Sequence, residues 1–198
     1  MSPVEAMSVE TVKTMPDSMT DNPHWPQGAE CLFSAEEVGD ALDAQAERLG
    51  RIAGRDEVLS IVALMKGGMY PAIELARRLD NALRLDYVHA TRYREATSGG
   101  EIHWAHWPED FSPGDHVVLV DDIFDEGYTM AAVADRLRQQ GVHRVTTVVL
   151  VRKHHDRGLD RDWVDDHALE VPDRYVFGCG MDYQGLWRQL DGIWALPR

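Results

Sequence analysis

The apolar positions of the chain fall into short continuous runs separated by stretches with helical spacing. Val58-Leu59-Ser60-Ile61-Val62-Ala63-Leu64 and Val117-Val118-Leu119-Val120 have the length and β-branched content of buried strands. Val145 to Val151 forms a third such run and Leu85 to Ala90 a fourth. Between them, Tyr70 to Leu79 and Thr129 to Gln140 read as helices. Upstream, Ser34-Ala35-Glu36-Glu37 has the form of a capping box, and Val38, Leu42, Ala46 and Leu49 continue one apolar face until Gly50. This alternation predicts an α/β domain with a mainly parallel central sheet flanked by helices. Right-handed crossovers would bring its ligands to the carboxyl ends of the strands.

Two stretches break the pattern. Residues 1–28 hold prolines, methionines and scattered acids without periodicity, and read as a flexible leader before a single domain over 29–198. Thr91 to Asp115 mixes glycines, prolines, charges and aromatics, including Trp104 and Trp107, and reads as one long functional loop or lid.

Composition narrows the partners. The net charge of −14 over 198 residues opposes nucleic acid or an anionic membrane, and makes an anionic substrate a local problem that donors and a cation must solve. Cys31 and Cys179 match no zinc or redox spacing, which fits a reduced cytoplasmic setting. No apolar run approaches the roughly 18 residues of a membrane span.

The chemistry is concentrated after the central strand, in Asp121-Asp122-Ile123-Phe124-Asp125-Glu126-Gly127-Tyr128-Thr129. A helix start leaves amides without intrahelical partners at the positive end of the helix dipole, so the turn from Asp125 to Thr129 can wrap a phosphate. Gly127 allows close backbone approach and Thr129 adds a hydroxyl donor. Asp121 and Asp122 alternate about the strand, so one faces a ligand while the other serves a metal water or a structural bond. Carboxylates beside a phosphate turn suggest a sugar phosphate, whose vicinal hydroxyls they can accept.

These residues resemble the phosphoribosyl pyrophosphate (PRPP) signature of the type I phosphoribosyltransferases. Leu64-Met65-Lys66-Gly67-Gly68 is similar to the pyrophosphate loop of the hypoxanthine-guanine branch, which often carries a cis peptide before the lysine. Leu150-Val151-Arg152-Lys153 resembles its purine-reading strand, and Pro172 to Tyr183 its base-binding hood. The resemblance covers roughly residues 30 to 190. It implies the type I fold, with a small hood formed by the first-helix region and residues 154–198.

The implied reaction is transfer of the 5-phosphoribosyl group from PRPP to hypoxanthine or guanine, giving IMP or GMP and pyrophosphate, with Mg2+ as cofactor. Asp125 would be the general base or proton-holding acid near purine N7. Asp121, Asp122, Asp125, Glu126, Gly127, Tyr128 and Thr129 would hold the ribose phosphate. Lys66, Gly67 and Arg188 would meet the pyrophosphate. Lys153, Tyr175, Val176 and Asp182 would form the purine site, and Asp121, Asp122 and Asp182 the magnesium site. Lys153 would donate to a 6-oxo group, and Arg152 beside it would point away to the surface. The resemblance also implies a homodimer or homotetramer, with which exposed tryptophans near the C-terminus are compatible.

Glu126 and Tyr128 depart from the pattern, which has Thr or Ser and often Lys or Asn at those places. Glu126 must point away from the phosphate or be paired, and arginines in Thr91-Arg92-Tyr93-Arg94 could offset its charge. The pairs His103 and His106, and His154 and His155, lack a third ligand and read as exposed loop histidines rather than a zinc site. A xanthine-type transferase and a non-catalytic PRPP-sensing regulator are the alternative readings. The acids lie too far along the chain for a response-regulator receiver, and Asp121-Asp122-Ile123 lacks the Asp-X-Asp of haloacid-type phosphatases.

Overall fold

A computed structural model of the protein describes residues 17–92, 102–108 and 111–197. The elements in order are α1 (Asp17–Thr20), β1 (Glu30–Phe33), α2 (Ala35–Ala53), β2 (Leu59–Leu64), α3 (Met69–Ala76), β3 (Leu83–Arg92) and β4 (Ile102–His106). They continue with β5 (His116–Phe124), α4 (Tyr128–Gln139), β6 (Arg144–His154), β7 (Asp166–Pro172), β8 (Val176–Phe177) and β9 (Ile193–Ala195). Six strands make the main sheet in the order β4-β3-β2-β5-β6-β7, parallel except where β4 runs antiparallel to β3.

The continuous apolar runs follow from burial on both faces. All six residues of β2 are buried. On one face Ile61, Ala63, Val118, Val120, Val148 and Leu150 pack with Val38, Leu42 and Leu49 of α2 and Leu75 of α3. Their sequence neighbours Val62, Val117, Leu119 and Val149 pack on the other face with Met130, Val133 and Leu137 of α4. Each such side chain contributes about 1.5–3 kcal/mol when fully withdrawn from water. The capping box at α2 is present: Ser34 Oγ accepts the Glu37 amide at 3.3 Å, and the Glu37 carboxylate accepts the Ser34 amide at 2.8 Å.

A second sheet, β1-β9-β8, forms a small hood. Its core is Trp25, Phe177, Trp187, Leu190 and Trp194. The Trp25 ring lies 5.5, 5.2 and 5.2 Å from the rings of Phe177, Trp187 and Trp194. Three expectations are corrected here. The expected leader, residues 1–28, extends too far, because Trp25 is only 7% exposed and belongs to the hood core. Trp187 and Trp194 are buried in the same cluster rather than exposed, so they offer no surface for association. The hood also takes less of the C-terminal region than expected: β7 completes the main sheet, and α2 packs on that sheet's face.

The segment from Thr91 to Asp115 is not one long loop. β3 runs on to Arg92, and β4 returns beside it with half-buried Ile102, Trp104 and His106 alternating with exposed His103 and Ala105. Arg136 of α4 fixes this hairpin, its guanidinium 4.5 Å from the Trp104 ring centre and 4.2 Å from that of Trp107. The Arg92-Tyr93-Arg94 part of the expected charge offset lies largely outside the described residues. No helix among the described residues is long and apolar enough to cross a membrane.

Candidate active site

β5 delivers its acids at the carboxyl end of the central strand. Asp122 is buried, and Asp121 is partly so, its Oδ1 accepting the Asp122 amide at 2.9 Å. Burial pushes the Asp121 carboxyl up, helped by the Asp122 charge. Burial likewise raises Asp122, against the pull of Asp121's hydrogen bond and the Arg188 guanidinium. Arg188 is 3.9 Å from Asp122 Oδ2. A buried acid pair so lightly compensated is a fitting place for a divalent cation. Among the described residues no three His, Cys, Asp or Glu side chains are arranged as a closed metal cage. A magnesium ion here would therefore complete its shell with substrate oxygens and water, as is common for that ion.

The turn after β5 reaches α4 through Gly127, which is left-handed at φ 80° and caps the helix without any side-chain hydrogen bond. A Cβ there would lie 2.5 Å from the Phe124 ring. The N-cap residue of α4 thus has no side chain to bond the amides that follow, an arrangement suited to an anion at the helix start. Glu126 and Tyr128 are exposed, and Thr129 is partly buried.

Two distant segments meet these acids. The Met65–Lys66 peptide is cis. In the loop that follows, a Cβ on Gly67 would fall 1.8 Å from Asp122 Oδ2, so backbone and carboxylate are in direct apposition. Gly180 lies against the same loop, where a Cβ would meet Gly67 O at 2.2 Å. Arg188 donates to Gly180 O at 2.5 Å and pairs with Asp182 Oδ1. Asp182 Oδ2 also accepts the Gly185 amide at 2.7 Å. The structure therefore gathers Asp121, Asp122, Gly67, Asp182 and Arg188 around one spot, although they come from three parts of the chain, with exposed Lys66 next to Gly67 in the same loop.

Asp125 is the centre of a second group. Lys153 Nζ donates to its Oδ2 at 2.8 Å, His155 Nε2 lies 2.5 Å from its Oδ1, and an Arg157 guanidinium nitrogen is 3.7 Å away. Burial alone would raise its pKa, but the hydrogen bonds from Lys153 and His155 win and hold the carboxyl below the usual range. Lys153 is buried and engaged with Asp125. Arg152 alternates away to pair with Glu170 and Asp162.

His155 corrects a further expectation. Its side chain is 5% exposed rather than exposed, and it belongs to the site. The available signal is its place one residue past the end of β6, two positions from Lys153, so that both side chains reach Asp125. The segment after it was also missed. Arg161 donates to Asp125 O at 2.5 Å, the Leu159 amide to Glu126 O at 2.9 Å, and Arg157 pairs twice with Asp173 at 2.6 and 2.8 Å.

The hood contributes Tyr175, half exposed, whose hydroxyl donates to Asp182 O at 2.9 Å. Val176 is buried in β8 and pairs with Ala195.

The sequence profile of the phosphoribosyl transferase domain matches residues 34–184. The hypoxanthine-guanine phosphoribosyltransferase of Streptococcus pneumoniae is 27% identical over 167 residues, covering 83% of this chain and 91% of that protein. The Bacillus subtilis enzyme of the same name is 27% identical over 136 residues, 68% of this chain and 75% of its own. Among solved structures, a hypoxanthine phosphoribosyltransferase from Staphylococcus aureus superposes with a TM-score of 0.78 at 23% identity, covering 85% of this chain and 91% of that one. The Trypanosoma cruzi hypoxanthine phosphoribosyl transferase gives 0.79 at 24% identity, with 89% and 94% covered. Acids at the end of a central parallel strand, a glycine-capped helix start beyond them and a profile spanning most of the domain agree: the chain belongs to the phosphoribosyl transferase domain family.

Proposed function

We propose that this protein transfers the 5-phosphoribosyl group of PRPP to hypoxanthine or guanine, forming IMP or GMP and releasing pyrophosphate. The observation that carries the reading is the meeting of the acid pair, the Lys66-Gly67 loop and the Asp182–Arg188 pair at one spot. Such a site suits a sugar that bears a phosphate on one side and a leaving pyrophosphate on the other. The names of the curated relatives support the purine as acceptor.

In this scheme the amides of the turn from Asp125 to Thr129, with Glu126, Gly127 and Tyr128 supplying backbone and the Thr129 hydroxyl a donor, hold the 5-phosphate. Asp121 and Asp122 accept hydrogen bonds from the ribose hydroxyls. Lys66, the Gly67 backbone and Arg188 receive the pyrophosphate and stabilise the charge that grows on it as it leaves. Asp121, Asp122 and Asp182 would hold Mg2+, which supplies charge neutralisation of the pyrophosphate oxygens.

The base lies between Tyr175, which stacks on it, and the backbone of Val176, which reads its edge. Lys153 donates to the 6-oxo group, a contact that favours oxo over amino purines because adenine presents donors there. Asp125 accepts from purine N7. Held ionised by Lys153 and His155, it serves as an acceptor that stabilises the proton on the ring nitrogen rather than as a strong base.

The test is pyrophosphate release from PRPP and magnesium with hypoxanthine, guanine, xanthine and adenine. Turnover with hypoxanthine or guanine is expected. Preference for xanthine would move the assignment to that base, and inactivity with all four would refute the transferase reading in favour of a PRPP-binding regulator.

A further inference from the structure

We propose that His155 is a positioning residue for Asp125: a side-chain donor whose tautomer is set by the chain's own backbone and which aims the carboxylate at the base. The inference rests on the reading of Asp125 as the group that meets the purine, and deepens it.

His155 reaches Asp125 Oδ1 through Nε2 at 2.5 Å. Its other ring nitrogen, Nδ1, accepts the Arg157 amide at 3.1 Å. A nitrogen that accepts an N–H carries no hydrogen, so Nε2 bears the proton and donates it to Asp125. At 5% exposure the ring has little room to swing away. The opposite oxygen, Oδ2, accepts from Lys153. The two donors are not equivalent. An ammonium on a flexible stem can leave Oδ2 to meet a 6-oxo group, while the imidazole is fixed at both nitrogens. When Lys153 turns to the base, His155 is the donor that still orients Asp125.

The backbone behind His155 is built to hold it. Gly158, left-handed at φ 80°, lies against the phosphate turn so closely that a Cβ would meet Glu126 O at 2.3 Å. The Leu159 amide and the Arg161 guanidinium donate to the carbonyls of Glu126 and Asp125. Arg157 ties the same turn to Asp173, two residues before Tyr175. Residues 155–161 thus bracket the phosphate turn to the root of the hood, with His155 as the bracket's contact to the reacting group.

Two substitutions separate positioning from mere support of the turn. Asn at 155 keeps an acceptor near the place of Nδ1 but cannot donate to Asp125, whereas Gln keeps a donor near the place of Nε2 but no fixed acceptor. A charge-assisted hydrogen bond lost from the reacting group corresponds to about 10- to 100-fold in rate. His155→Asn is therefore expected to lower kcat by about that factor with PRPP affinity unchanged, and His155→Gln to retain kcat within about fivefold. Nitrogen-15 spectra of the histidines should show a protonated Nε2 and a bare Nδ1 for His155. Wild-type kcat in His155→Asn, equal losses in the two variants, or an Nδ1–H form would overturn the proposal. Wild-type inactivity with all four bases would instead sink the purine reading, and the nitrogen spectrum would still judge the His155 tautomer.

Discussion

Replacing Gly67 with alanine tests the claim that the pyrophosphate loop rests directly on a site acid. The added Cβ would lie 1.8 Å from Asp122 Oδ2 and 2.2 Å from its Cγ, where ordinary contact begins at 3.4 Å. Asp122 is 9% exposed, so its carboxylate has little space to retreat into. Overpacking of this kind costs about 1–3 kcal/mol. For a chain of this size that corresponds to a fall of roughly 2–12 °C in Tm. Because the obstacle is one side chain, Asp122→Ala should remove it. In a double-mutant cycle read by urea unfolding, Gly67→Ala combined with Asp122→Ala should then be less destabilised than the sum of the single variants by about 1–3 kcal/mol. Additivity within about 0.5 kcal/mol would refute the apposition of loop and acid. Gly68→Ala is the control, since its Cβ would meet the backbone oxygen of Val120 at 2.4 Å and no change at position 122 should rescue it.

Three further outcomes follow from the same geometry. Asp125→Asn should lower turnover about 100-fold or more while PRPP affinity stays within about threefold, because it alters the group at the base and spares the phosphate turn; equal losses by kinetics and calorimetry would remove Asp125 from that role. Trp25→Ala should cost about 3–5 kcal/mol in urea unfolding, as expected for emptying an aromatic core site, and a loss below about 1 kcal/mol would detach residues near 25 from the hood. His116, buried with Nε2 2.8 Å from Thr146 Oγ1, has its pKa lowered by burial and by the Arg144 charge, against the opposing pull of Glu57. The unfolded chain then takes up that proton first, so stability should be full above the ordinary histidine pKa of about 6.5 and fall as pH drops through it. A His116→Gln variant should show a flatter dependence by thermal melts over the same window, and an unchanged slope would clear His116 of the effect.

The sequence by itself determined the layered α/β plan and the place of its chemistry, because both are written in local patterns. Doubly buried strands need unbroken apolar runs, and a helix that must cap itself announces it, as Ser34 and Glu37 do. The acids after Val120 and the glycine before α4 are likewise neighbours along the chain. β4 is the exception: Ile102, Trp104 and His106 alternate as a strand requires, but the glycines, prolines and charges around them make the segment read as a loop.

Only the tertiary structure decided what residues far apart in sequence do to one another. Trp25 reads as part of a polar leader until Trp187 and Trp194 close around it, and those two tryptophans read as surface until Trp25 covers them. His155 looks like an exposed histidine until the pairing of β5 and β6 brings the loops beyond their ends together and sets it against Asp125, with the Arg157 amide choosing its tautomer. Gly180 has no visible purpose until it is found against the Gly67 carbonyl. Local propensity is a property of a few adjacent residues, whereas burial, charge compensation and hydrogen-bond direction depend on which distant groups folding brings within a few ångströms.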